Sequence, residues 1–166
     1  MDAATAIYPG SFDPITNGHL DILNRAREVF PRVVVAVAND PGKAVLFPAE
    51  TRLGLVRCVL KEIGADDVEA VGFDGLLAEF ARTIGARALI RGLRAVTDFE
   101  YELQMALANR RLDPDLETVF LMAEARHCFL SSSLIKEVAR YGGDVSPFVP
   151  RCVADALRDA FRSSGC

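Results

Sequence analysis

Residues 8–23 read YPGSFDPITNGHLDIL. An apolar start (Ala6, Ile7) runs into two prolines, two glycines and one of the chain's two histidines, and then into Leu20, Leu23 and Ala26 at helical spacing. That succession reads as strand, loop and helix, the opening half of a βαβ unit. Gly10 lets backbone approach a ligand without a Cβ, Pro9 and Pro14 stiffen the path, and Asn17-Gly18 turns the chain into the helix. A helix start presents unpaired N–H groups and the positive end of its dipole, which suits a phosphate, and His19 in the first turn faces the same space. Neither GxxxxGK nor GxGxxG occurs, so P-loop and dinucleotide-oxidoreductase chemistry have no support.

Outward from this corner the alternation repeats. Candidate strands are Thr5–Tyr8, Arg32–Ala38, Val68–Gly72, Ala88–Arg91 and Thr118–Met122, and VVVAVA in the second is apolar at consecutive positions, as a central strand covered on both faces requires. Helical patterns fill the gaps at Gly18–Phe30, Pro48–Ile63, Gly75–Ile84, Asp98 (as N-cap) to Arg111, Ser132–Tyr141 and Arg151–Arg162. The expected fold is α/β: one domain over residues 1–166, a doubly wound five-stranded parallel sheet with C-terminal helices. Such sheets bind ligands beyond their C-terminal strand ends, which directs attention to loops 9–18, 39–47, 73–76, 91–97 and 123–131.

Composition narrows the function classes. A net charge of −4 argues against general nucleic-acid binding. The start lacks a signal-peptide pattern, and the longest strongly apolar run, Val33–Ala38, is too short to cross a bilayer, so a cytoplasmic protein without membrane contact is expected. Cys58, Cys128, Cys152 and Cys166 lie far apart without CxxC pairing, which suits free thiols better than disulfides or a zinc site. Only three of the nineteen basic residues are lysines, which draws notice to Lys43 and Lys136.

Thr16-Asn17-Gly18-His19 resembles the (T/H)xGH motif of the nucleotidylyltransferase superfamily, and YPGSFDPITNGHLDI is similar to the phosphopantetheine adenylyltransferase family within it. The likeness continues in IRGLRAVTDFEYELQ (90–104) and in SSSLIKEVA (131–139), and so covers nearly the whole chain. It implies a Rossmann-like nucleotidylyltransferase fold. It also implies reversible transfer of an adenylyl group from ATP to 4′-phosphopantetheine, giving dephospho-coenzyme A and pyrophosphate, a step of coenzyme A biosynthesis.

Carried over residue by residue, the resemblance implies that His19 stabilises the transition state and that Ser11, Lys43 and Arg91 act with it. Ser11, standing where Thr is more usual, would orient the substrate phosphate, Lys43 and Arg91 would hold it, and Leu77 would contact the pantetheine arm. ATP would meet Ser11, Phe12, His19, Gly92, Leu93, Arg94, Glu102, His127, Cys128, Phe129, Leu130, Ser131, Ser132 and Ser133. Mg²⁺ is expected with the triphosphate and not in a protein carboxylate cage. A homohexamer and feedback inhibition by coenzyme A are further implications of the family.

Residue chemistry agrees with this reading. A phosphate monoester is largely dianionic at neutral pH, so it needs no general base to attack. Competing readings are another nucleotidylyltransferase, a truncated class I aminoacyl-tRNA synthetase, for which the chain is short and acidic, and a non-catalytic nucleotide sensor.

Overall fold

The computed structural model describes residues 5–162, and for Thr97 the backbone alone. Five strands, β1 (Thr5–Gly10), β2 (Arg32–Ala38), β3 (Glu69–Phe73), β4 (Ala86–Leu93) and β5 (Glu117–Met122), form one parallel sheet in the order β3-β2-β1-β4-β5. Between and after them lie α1 (Asn17–Val29), α2 (Ala49–Glu62), α3 (Leu77–Thr83), α4 (Val96–Leu112), α5 (Ser132–Arg140) and α6 (Arg151–Arg162), with a 3₁₀ turn at Ala125–His127. The strand order steps outward from β1 in one direction and then restarts at β4 on its other side. The switch point of a doubly wound sheet therefore falls between β1 and β4.

Both faces of the sheet are covered, as the unbroken apolar run of β2 requires. Ala6, Tyr8, Val33, Val35 and Val37 pack with Leu20 and Leu23 of α1, Val56 and Val59 of α2, and Val153 and Leu157 of α6. Alternate residues Ile7, Ala36 and Leu89 face the other way, against Ala78 and Ala81 of α3. Opposite parity along each strand divides the apolar side chains between the two layers. Helix α2 ends where expected: Gly64 takes a left-handed φ of 67°, and Ala65 N–H reaches back to Leu60 O at 2.8 Å.

Several boundaries differ from expectation for physical reasons. Strand β4 runs on through Gly92 and Leu93, since both pair with β5, so part of the anticipated loop 91–97 is sheet. Asn17 and Gly18 belong to α1, and Thr16 is its cap. Helix α3 begins at Leu77, because Gly75 at φ 81° sits in a turn ahead of it. Asp98 does not cap α4. The cap is Ala95, and Asp98 lies in the first turn with its carboxylate taking Arg94 N–H and Nε–H at 3.3 and 3.2 Å.

Candidate active site

A cleft of about 650 Å³ opens at the switch point. Its floor is the end of β1 (Tyr8, Pro9, Gly10) and of β4 (Arg91, Gly92), and its walls come from α1, α4, α5 and the loop after β2.

The first corner is shaped by packing. Phe12 holds a left-handed φ of 47°, unusual for a bulky residue, and its buried ring meets Tyr8 and His19 edge-on at 5.5 and 5.2 Å. A Cβ on Gly10 would lie 3.0 Å from that ring, so Gly10 is a glycine to admit Phe12. Gly92 likewise admits Ile22 of α1, since a Cβ there would stand 2.9 Å from Cγ1. Gly18 is different: a Cβ would meet only ordinary contacts, the nearest at 3.5 Å, although the residue lines the cleft.

His19 closes a capping arrangement at the start of α1. Its Nδ1 accepts the Thr16 backbone N–H at 3.0 Å and lies 3.0 Å from Thr16 Oγ1. A backbone N–H can only donate, so Nδ1 carries no hydrogen and the neutral ring places its proton on Nε2. Burial, then Arg94 and Arg91, lower its pKa to about 4. At neutral pH His19 is thus a fixed, uncharged Nε2–H donor at the cleft.

The cations around it are tied in specific ways. Lys43 Nζ donates to Ser11 Oγ at 2.9 Å, bringing together two anticipated substrate contacts from separate loops. Arg91 makes a two-pronged pair with Glu102, Nε and Nη2 to the carboxylate at 2.6 and 2.5 Å, while Nη1 reaches Pro9 O at 3.1 Å. Burial acts to lower the Arg91 pKa, but Glu102 outweighs it and the guanidinium stays charged. Arg94 donates to Asp98 and, at 3.1 Å, to Leu130 O. Of the three serines, Ser131 caps α5 by accepting Leu134 N–H, Ser132 donates to Pro14 O, and Ser133 is exposed.

Ser11, Phe12, His19, Lys43, Leu77, Arg91, Gly92, Arg94, Glu102, His127, Leu130 and Ser131–Ser133 all line this one cleft. Leu93, Cys128 and Phe129 do not. Leu93 is buried in the sheet, Cys128 turns its thiol to the carbonyls of Ala123 and Glu124, and Phe129 stacks edge-on with Phe148 outside the cleft.

Two further groups build the site without having been anticipated there. Asp13, 4% exposed, accepts Leu46 and Phe47 N–H, both at 2.9 Å, and Lys136 Nζ at 2.6 Å. Burial raises its pKa, yet the Lys136 and amide hydrogen bonds bring it below the ordinary carboxylate value. Arg52, 2% exposed, donates to the carbonyls of Phe47, Ser11 and Ala38 and so ties the two loops to the end of β2. Lys136 in SSSLIK was the available signal for the first. For Arg52 the sequence shows only an ordinary helical arginine. Thr118 Oγ1 also lines the cleft, buried and without a hydrogen-bond partner among the described residues.

Comparison with known proteins bears on the whole chain. Residues 7–138 match the cytidylyltransferase-like family model. A phosphopantetheine adenylyltransferase of Desulforudis audaxviator (strain MP104C) is 56% identical over 160 residues, covering 96% of this chain and 97% of that protein. Those of Stenotrophomonas maltophilia (strain K279a) and Alkaliphilus metalliredigens (strain QYMF) are 55% and 53% identical over 92% and 91% of this chain, and over 89% and 95% of theirs. A solved structure of a putative nicotinate-nucleotide adenylyltransferase from Vibrio parahaemolyticus superposes with a TM-score of 0.72 at 15% identity, covering 93% of this chain and 98% of that one, a likeness of fold alone. Identity above one half, sustained over more than nine-tenths of its length, places this chain in the phosphopantetheine adenylyltransferase family.

Proposed function

We propose that the chain, as one nucleotidylyltransferase domain over residues 1–166, transfers an adenylyl group from MgATP to 4′-phosphopantetheine. A phosphate oxygen of the acceptor attacks the α-phosphorus, the bond from that phosphorus to the bridging oxygen breaks, and pyrophosphate leaves. Dephospho-coenzyme A is the product, and the reverse reaction follows the same path. The observation that carries this reading is His19: an uncharged ring, locked by Thr16 so that Nε2–H faces the cleft at a helix N-terminus. Such a group cannot abstract a proton efficiently at pH 7, but it can donate to an α-phosphate gathering charge. The attacking dianion requires no base.

Charge placement supports the assigned partners. Lys43 and Ser11 form one anion-seeking pair and Arg91 another, on opposite sides of the β1 end, where they would fix the attacking phosphate. Arg94, the α5 start at Ser131–Ser133 and Gly18 leave room for the nucleotide phosphates. The cleft carboxylates Asp13, Asp98 and Glu102 are each engaged by a cation. Magnesium would therefore arrive as part of MgATP, held by phosphate oxygens and water.

The same reading extends to assembly and regulation. Helix α4 exposes Val96 (88%), Leu103 (39%) and Leu107 (60%) along one face, an apolar surface that suits burial against further copies in a homohexamer. Coenzyme A, which contains the product, would compete for the cleft as a feedback inhibitor. A cytoplasmic location belongs to the same proposal; among the described residues no helix is long and apolar enough to cross a membrane. Pyrophosphate release from MgATP is expected only when 4′-phosphopantetheine is present. Release with a mononucleotide acceptor instead would assign the site to another nucleotidylyltransferase reaction, and binding without turnover would make it a sensor.

A further inference from the structure

Cys58 and Cys152 are distant in sequence, yet packing of α2 against α6 sets them side by side. Cys58 and Glu62 sit four apart on one face of α2, and Cys152 lies in the first turn of α6. One donor atom from each, two sulfurs and a carboxylate oxygen, fall within 4.8 Å of one another, away from the cleft. We infer that Cys58, Glu62 and Cys152 form a binding site for a thiophilic divalent cation, zinc by its donor set, that fastens α2 to α6.

The geometry asks little of the chain. Zinc–sulfur bonds of about 2.3 Å in a tetrahedron put neighbouring donors roughly 3.8 Å apart, so closing from 4.8 Å requires a shift of about 1 Å. Cys58 and Glu62 are exposed and Cys152 half-buried, so side-chain rotation supplies that shift and the ion has an entry path. Glu62 already leans toward α6, accepting Arg151 and Cys152 N–H at 3.3 and 3.5 Å. Those long contacts leave carboxylate lone pairs for a metal. Water would complete four-coordination.

A divalent cation would displace the thiol protons as it binds. Two sulfurs favour zinc over magnesium or calcium, which prefer oxygen.

The test uses the full-length protein, reduced, stripped with chelator and titrated anaerobically with Co²⁺ as a spectroscopic stand-in for zinc. We expect one equivalent per chain with thiolate-to-cobalt charge transfer and tetrahedral d–d bands, displaced by zinc. Cys58→Ser, an exposed and conservative change, should abolish both bands and the rise in melting temperature on adding zinc. Glu62→Gln should weaken affinity by about 10-fold or more while leaving turnover unchanged. Absence of charge transfer, bands of full strength in Cys58→Ser, or an affinity unmoved by Glu62→Gln would each overturn the site.

Discussion

A Lys136→Met substitution takes away the ammonium that stands 2.6 Å from Asp13 Oδ2. The stranded carboxylate would still accept two amides, from Leu46 and Phe47, but it would be an uncompensated charge in a residue only 4% exposed. Removing one partner of a buried pair costs about 3–5 kcal/mol. Because both amides remain and Lys136 keeps 22% of its side-chain exposure, the low end applies, ~3 kcal/mol. For a chain of this length that is a fall in Tm of roughly 6–12 °C. Thermal and urea unfolding at pH 7 measure it directly. Adding Asp13→Asn removes the stranded charge and should restore much of the loss.

The acid limb supplies an independent check. Asp13 has a depressed pKa in the folded protein, so its contribution is present above the ordinary value of 3.8 and is lost as pH falls through the lower folded value. Without Lys136, burial dominates, the folded pKa moves upward, and acid unfolding should begin at higher pH. A cost below about 1 kcal/mol with an unmoved acid midpoint would refute the assignment of this pair as the brace between α5 and loop 39–47.

Three further outcomes follow from the same geometry. His19 has a folded pKa of about 4 against an ordinary 6.5, so the unfolded state takes up its proton first and stability falls as pH drops from 6.5 toward 4, by up to ~3 kcal/mol. A His19→Asn protein should lose that component, and an unchanged slope of unfolding free energy over this window would contradict it. Gly18→Ala should fold as stably as the parent, since its Cβ meets only ordinary contacts, yet raise the KM for ATP about tenfold or more, equivalent to ~1.4 kcal/mol; an unaltered KM would mean that the nucleotide does not pass there. Leu107→Glu on the exposed face of α4 should dissociate the assembly in light scattering, and a wild-type protein that is a stable monomer at micromolar concentration would dispose of the interface altogether.

How much could be read in advance differed by kind of information. Strand β2 matched residue for residue, because a run of consecutive β-branched and alanine residues has few other homes. Helix α6 did too, since PFVP ahead of it breaks the chain cleanly. Boundaries failed where tertiary pairing overrode local signals. β4 gained residues at both ends, since Gly92 and Leu93 found partners in β5, and Asp98 gave up a cap for a bond to Arg94. Site residues close in sequence to a motif were legible by resemblance. Asp13–Lys136, 123 positions apart, and the three carbonyls gathered by Arg52 were not, because nothing local distinguishes a carboxylate or guanidinium that the fold will bury. Gly10 and Gly92 were legible as constrained positions, but the packing of Phe12 and Ile22 against them had no local signal.

The central claim is that a neutral His19 stabilises charge on the α-phosphate without serving as a base. It is tested most directly by kcat for His19→Ala in a continuous pyrophosphate-release assay at saturating MgATP and 4′-phosphopantetheine, with folding verified by circular dichroism. Loss of one well-placed donor to the transition state predicts a fall of about 10²–10³-fold, with no inflection near neutral pH in the parent enzyme attributable to this ring. Near-normal turnover in a folded His19→Ala protein would contradict the account.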